Sequence, residues 1–302
     1  MLLWRCQKKY LFVRPCVVLL NLKPFFFFLL SCITASIYSF AFGVTDSWLL
    51  ITCCLIILIA GLPHGAFDIY ILEDLFKGKI FFWSLVAYVG LIFLTILFWW
   101  LTPLVFLITF LAYSAIHFGD SDWPLYSFTF KVAWGSAIIT LPCLFSANQV
   151  TSLFAIILET QQMPTIASTF GYIAIITTIF CSIKNTTAFI LLFFYAILCK
   201  FGGALVAFTC YFAFLHGPRH LGRWREKLPN RSNIQVYLIT ISILIGIILL
   251  VLFTSGENSF NEEMTFIAVD QIMIRYTFVA LAALTVPHMV SLFVADHLKF
   301  KH

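Results

Sequence analysis

Histidine is the residue of this sequence best suited to chemistry, and the chain has seven. His64 follows Gly61-Leu62-Pro63 at the end of one long apolar segment. His117 closes another, and His216 and His220 close a third. His288 lies in the last apolar segment, while His297 and His302 belong to a polar tail and read as solvated. Imidazole is both a proton carrier near neutral pH and a common metal ligand. His216 and His220 are four positions apart, which sets both on one helix face in the spacing of paired histidines at helical zinc sites. Pro218 between them predicts a kink or an end. Acidic residues number only 13 in 302, yet Asp68 comes four residues after His64, and Asp120 and Asp122 follow closely on His117. A metal-bound histidine usually gives its second ring N–H to such a carboxylate, so Asp68, Asp120 and Asp122 are candidate outer partners, with His288 beside them.

Plainer readings compete at each position. A lone histidine at a membrane interface often only caps a helix end, and Asp120 and Asp122 have the residue type of helix caps or loops. Arg219 and its basic neighbours read as topology determinants more readily than as catalytic groups. The nine cysteines are scattered with no CxxC pair, several inside apolar runs (Cys53, Cys54, Cys199, Cys210), and read as small hydrophobes. What weighs for a site is coincidence of depth: histidines from separate segments fall at one end of them, and ionisable residues within a membrane are functional by default.

The elements that must position these side chains are membrane helices. Hydrophobic residues make up 62% of the chain and charged ones 10%, too few charges to coat a soluble globule of this size. The fold class predicted is all-α, a polytopic helical bundle with about ten transmembrane crossings, each needing about 20 apolar residues. Helices are predicted over Pro24–Phe42, Ser47–Leu62, Ile80–Leu101, Pro103–His117, Phe130–Phe145, Ile166–Ile183, Val236–Phe253 and within Phe266–Val294, the last interrupted near Pro287. Val150–Leu158 reads as an amphipathic interfacial piece. Thr187–His216 would be about 45 Å long as one helix, beyond a bilayer core, so two helices are predicted, divided at Lys200-Phe201-Gly202-Gly203. That division puts the basic N-terminal segment, the Arg219–Arg231 loop and the Lys299–Lys301 tail on the cytoplasmic side and the acidic Glu257–Glu263 loop outside, as the positive-inside rule prefers. The net charge of +5 therefore sets topology and does not point to nucleic acid. One membrane domain covers 1–302, with a basic cytoplasmic segment over 1–23 retained rather than cleaved, a bundle over 24–297 and a cytoplasmic tail over 298–302.

Three blocks in order, Pro63-His64-Gly65-Ala66-Phe67-Asp68, His117-Phe118-Gly119-Asp120-Ser121-Asp122 and His216-Gly217-Pro218-Arg219-His220, resemble the signature blocks of the Brp/Blh family of bacterial and archaeal membrane β-carotene 15,15'-dioxygenases. The resemblance spans about half the chain, Gly61 to Leu221, and departs at Phe67, where a smaller aliphatic residue is expected. It implies oxidative cleavage of the central double bond of β-carotene by O₂ into two retinal molecules, with Fe(2+) held by His64, His117, His216 and His220. It implies too a multi-pass protein of the inner (plasma) membrane, in contact with the lipid bilayer, with both termini cytoplasmic and its retinal used by a rhodopsin. Imidazole ligands suit non-haem Fe(II), and a lipid-dissolved polyene would be held by shape in an apolar cavity. Trp83, Trp99, Trp100, Tyr113 and Trp123 are candidates for lining it. The competing functions are a membrane di-iron desaturase or hydroxylase, which one His-x-x-x-His pair leaves short of ligands, and a haem-binding or retinoid-binding membrane protein without dioxygenase activity. A transporter would more often show internal repeats or mid-membrane polar residues.

Overall fold

Within hydrocarbon every backbone polar group needs an internal partner, so long apolar runs become helices and end where glycine, proline or a capping side chain interrupts them. The computed structural model describes residues 22–43, 47–160, 166–227, 240–242, 245 and 266–298, and their side chains except at 62–64, 166–168, 227, 266–269 and 296. The helices with determined bounds are α1 (Phe26–Phe42), α2 (Ser47–Ala66), α3 (Asp68–Leu75), α4 (Gly78–Leu101), α5 (Pro103–Asp122), α6 (Phe128–Phe145), α7 (Ala147–Leu158), α8 (Ile166–Lys184), α9 (Thr186–Tyr211), α10 (Gly217–Lys227) and α11 (Phe266–Leu298). No strand occurs among the described residues. Six helical segments there are long and apolar enough to cross a membrane. The predicted helix over Val236–Phe253 lies almost wholly outside the described residues, as do the acidic loop and the basic N-terminal segment.

Local signals explain the boundaries. Pro103 opens α5 in the first turn, where its missing N–H costs nothing. Asn185 caps α9 by accepting the Ala188 N–H at 2.9 Å. Inside α9, Gly203 takes φ 75° and ψ 178°, a left-handed value that favours glycine, so the backbone breaks within the interruption predicted at Lys200–Gly203. The freed N–H of Ala204 is taken by Gln149 Oε1 from α7. The α7 stretch, predicted as an amphipathic interfacial piece, packs one face against the bundle, with Val150 and Ile157 buried.

Several helices run further than predicted. The α2 backbone continues through Pro63 to Ala66, and α3 follows almost at once. α5 passes His117 and ends only at Asp122. Beyond α9 the chain turns through a π-helical segment, Phe212–His216, directly into α10, where a basic loop was expected. Pro218 falls in the first turn of α10 and therefore does not break it. Pro287 lies inside α11 without ending it.

Helices α5 and α6 meet backbone to backbone. A Cβ at Gly119 would sit 1.8 Å from the Lys131 carbonyl oxygen, and one at Gly135 the same distance from that of Ala115. Small residues at such crossings let membrane helices meet backbone to backbone. Around this contact the core gathers Trp134, Ile138, Tyr195, Leu198 and Tyr211. On the outside, α4 presents Ile80, Phe82, Phe93 and Trp100, all exposed, a face that only lipid covers at low cost.

Candidate metal centre

His117 comes from α5, His216 ends the π-helical segment and His220 lies one turn into α10. Each offers a ring nitrogen, and these atoms all lie within 4.8 Å of one another. All three side chains are buried. The π-helical turn matters here. Such turns are rare and frequent at functional sites because the extra residue re-aims side chains. With Pro218 absorbed into the start of α10, the four-residue spacing survives, and the His216 and His220 rings stand 5.8 Å apart between centres.

The second ring nitrogens of His216 and His220 are engaged. His216 Nδ1 lies 3.2 Å from Asp122 Oδ1. The other oxygen of Asp122 accepts the Trp134 indole N–H at 2.9 Å and the Tyr211 hydroxyl at 2.8 Å, and Arg219 donates to the Asp122 backbone carbonyl at 2.7 Å. A buried carboxylate surrounded in this way holds its imidazole in one orientation. Ser121 Oγ meets His220 Nδ1 at 2.9 Å. Three buried imidazoles converging, two of them with the outer nitrogen taken up, fit a transition-metal ion that favours nitrogen ligands.

His288, from α11, belongs to the same cluster. Its ring centre is 5.0 Å from that of His220 and 5.7 Å from that of His117, and its Nδ1 donates to Asp68 Oδ1 at 2.7 Å. Tyr88 donates to the other oxygen of Asp68 at 2.8 Å. Asp68 therefore sits beside the site through His288. The backbone of His64 lies in α2, and its side chain is outside the described residues. Asp120 is turned away, paired with Lys131 at 2.6 Å. His297 is exposed and bonds the Phe293 carbonyl, and His302 is outside the described residues.

A cavity of about 620 Å³ runs from the histidines into the bundle, within the usual range for small-molecule sites. His117, His216, His288 and Asp68 line one part of it, and Val150, Leu153, Phe154 and Ile157 of α7 line another. Phe110, Phe118, Phe208, Phe212, Phe278 and Tyr195 supply aromatic walls. Trp83, Trp99, Trp100, Tyr113 and Trp123 are not among its lining residues. Trp83 and Trp100 are exposed on the outer face. Trp99 packs near Phe106 and Phe110, and Trp123 is buried among Phe25, Phe130 and Trp134. Sequence reading missed Ser121 as the partner of His220, and Trp134 and Tyr211 as the partners of Asp122. Of these only Ser121 carried a local signal, lying inside the second histidine block.

The family model described as "BCD: Beta-carotene 15,15'-dioxygenase" matches residues 55–294, most of the chain. A beta-carotene 15,15'-dioxygenase of the uncultured marine bacterium 66A03 is 28% identical over 259 residues, 80% of this chain and 93% of that protein. No solved structure matches the chain.

Proposed function

Because the chain belongs to the beta-carotene 15,15'-dioxygenase family, we propose that it cleaves the central double bond of β-carotene with O₂, giving two molecules of retinal, at one Fe(II) ion held by His117, His216 and His220. His64 would complete the set that the three sequence blocks imply. The reading balances: one carbon–carbon double bond is lost, two aldehyde C=O bonds form, and both oxygen atoms come from O₂. The observation that carries it is a buried histidine triad, two of whose members, His117 and His216, line a largely apolar cavity.

Bound iron supplies the capacity to bind and reduce O₂, which no amino-acid side chain has. The chain's own residues do the rest. Asp122 and Ser121 orient His216 and His220, so the ligands need no rearrangement. Phe118, Phe208, Phe212 and Phe278 enclose a polyene by shape and keep water from its middle. Apolar walls also leave an aldehyde product without hydrogen-bonding competition for release into lipid. The protein is proposed to be one multi-pass domain of the cell's inner membrane with about ten crossings. Both ends lie on the cytoplasmic side, as the basic segments prefer. Retinal released into the bilayer is available to a rhodopsin there.

The test is expression in a bacterium that accumulates β-carotene, with pigments extracted and metal measured on the purified protein. Retinal is expected from the wild type as the sole chain-cleavage product. His117→Ala, His216→Ala and His220→Ala are each expected to abolish retinal and to lose iron. Unequal cleavage products, or intact β-carotene beside a folded protein that holds iron, would overturn the reaction. Full iron content in all three variants would overturn the site.

A further inference from the structure

We infer that His288 is itself a ligand of the metal centre, aimed by Asp68 and Tyr88, so that α11 contributes to the site beside α10. The inference rests on the proposed metal site and extends it by a residue that none of the three histidine blocks contains.

The argument is one of distance and tautomer. Nε2 of His288 lies 3.2 Å from Nε2 of His220, both buried. Two nitrogens in adjacent positions on one metal ion, each bonded at about 2.1 Å, stand about 3.0–3.4 Å apart. The observed separation is that of two ligands of a shared ion. Asp68 can only accept at its carboxylate oxygens. It already takes the Tyr88 hydroxyl on Oδ2, so the 2.7 Å contact at Oδ1 fixes the hydrogen of His288 on Nδ1. Where the ring is neutral, its Nε2 then carries no hydrogen. If His220 binds metal through the nitrogen not facing Ser121, its Nε2 carries none either. Two bare lone pairs at 3.2 Å repel unless a cation lies against both. The alternative, a hydrogen bond from His220 to His288, requires a hydrogen on His220 Nε2 and so removes that nitrogen from the metal. Metal binding by His220 and by His288 therefore go together.

The relay behind His288 has the form expected of an outer shell. Asp68 begins α3 and is 1% exposed, and Tyr88 reaches it from α4. Asp68 is thus a positioning residue for His288, as Asp122 is for His216. The same arrangement, a carboxylate behind an imidazole with a phenol behind the carboxylate, occurs on both sides of the cluster.

The experiment uses the full chain in detergent, loaded anaerobically with Fe(II), and separately with Co(II) as a spectroscopic probe. Affinity is read by chelator competition and coordination by the visible Co(II) bands. His288→Ala is expected to weaken Fe(II) binding at least tenfold and to change the band positions and intensity. Added imidazole should restore both. Asp68→Asn, which keeps the shape and removes the fixed acceptor, is expected to weaken binding about tenfold while keeping the Co(II) ligand count. If His288→Ala does not fold, the isosteric His288→Gln carries the same expectation. Wild-type affinity and an unchanged Co(II) spectrum in His288→Ala or His288→Gln would overturn the assignment and leave the triad intact. Failure of the wild type to bind iron would instead overturn the functional reading, and this one with it.

Discussion

At the residue scale, Asp122 and Asp120 show how little sequence proximity says about role. They are two positions apart, yet Asp122 sits among His216, Trp134 and Tyr211, while Asp120 pairs with Lys131. Asp122→Asn keeps the volume and one hydrogen-bonding oxygen but loses the anion that fixes the His216 tautomer. Fe(II) affinity is expected to fall 10- to 100-fold, the usual cost of an outer-shell change. Asp120→Asn is expected to leave it within twofold, because only an exposed-side ion pair is lost, worth about 1 kcal/mol or less. Metal titration of the two variants side by side checks both. Equal losses would mean that the carboxylates act through net charge and not through position. The Phe67 departure from the family pattern also resolves here: its ring is buried with Tyr70, Ile71 and Trp224, so it bears on packing.

At the element scale, the second histidine block owes its glycine to packing. Gly119 meets the backbone of α6 at Lys131, two residues after His117 on the same helix. Gly119→Ala is expected to force α5 from α6, costing about 1–3 kcal/mol by overpacking, and to reduce folded yield in detergent together with iron content. A melting temperature within a degree of wild type would show that the crossing relaxes freely. Helix existence was legible from apolar length and from Pro103, Asn185 and Gly203, because these act within a few residues. The extensions past Pro63, His117 and His216 were not. In the last turn of α5, Asp120 pairs with Lys131 of α6, a contact that exists only once the two helices pack. The His216–His220 pair was readable from spacing alone, and the Asp122–Tyr211 and Asp68–His288 contacts were not, since they join residues that only the bundle brings together. The five aromatic candidates illustrate the same limit. Type and segment can nominate Trp83 or Trp100, but the direction a helix faces decides lipid or cavity, and all-round apolar helices such as α4 carry no periodic signal of it.

At the scale of the whole molecule, the metal end and the α7 end of the cavity are separable. Leu153 lines the cavity from α7, an element with no residue in the histidine cluster. Leu153→Trp is expected to cut retinal formation at least fivefold by filling that volume, with iron content and the Co(II) spectrum unchanged. Unchanged turnover would place the polyene elsewhere. The apolar lining has one more consequence. In a bilayer, the solvent for such a space is not water but acyl chains, which are linear, apolar and present at enormous excess over any carotenoid. Substrate therefore competes with the membrane itself, with no gain from expelling water and only shape complementarity to tell a stiff conjugated chain from a flexible saturated one. Activity should follow the mole fraction of β-carotene in lipid rather than its bulk concentration. Adding inert phospholipid at constant enzyme and carotenoid then acts as a competitive inhibitor, and long-chain detergents act more strongly than short ones.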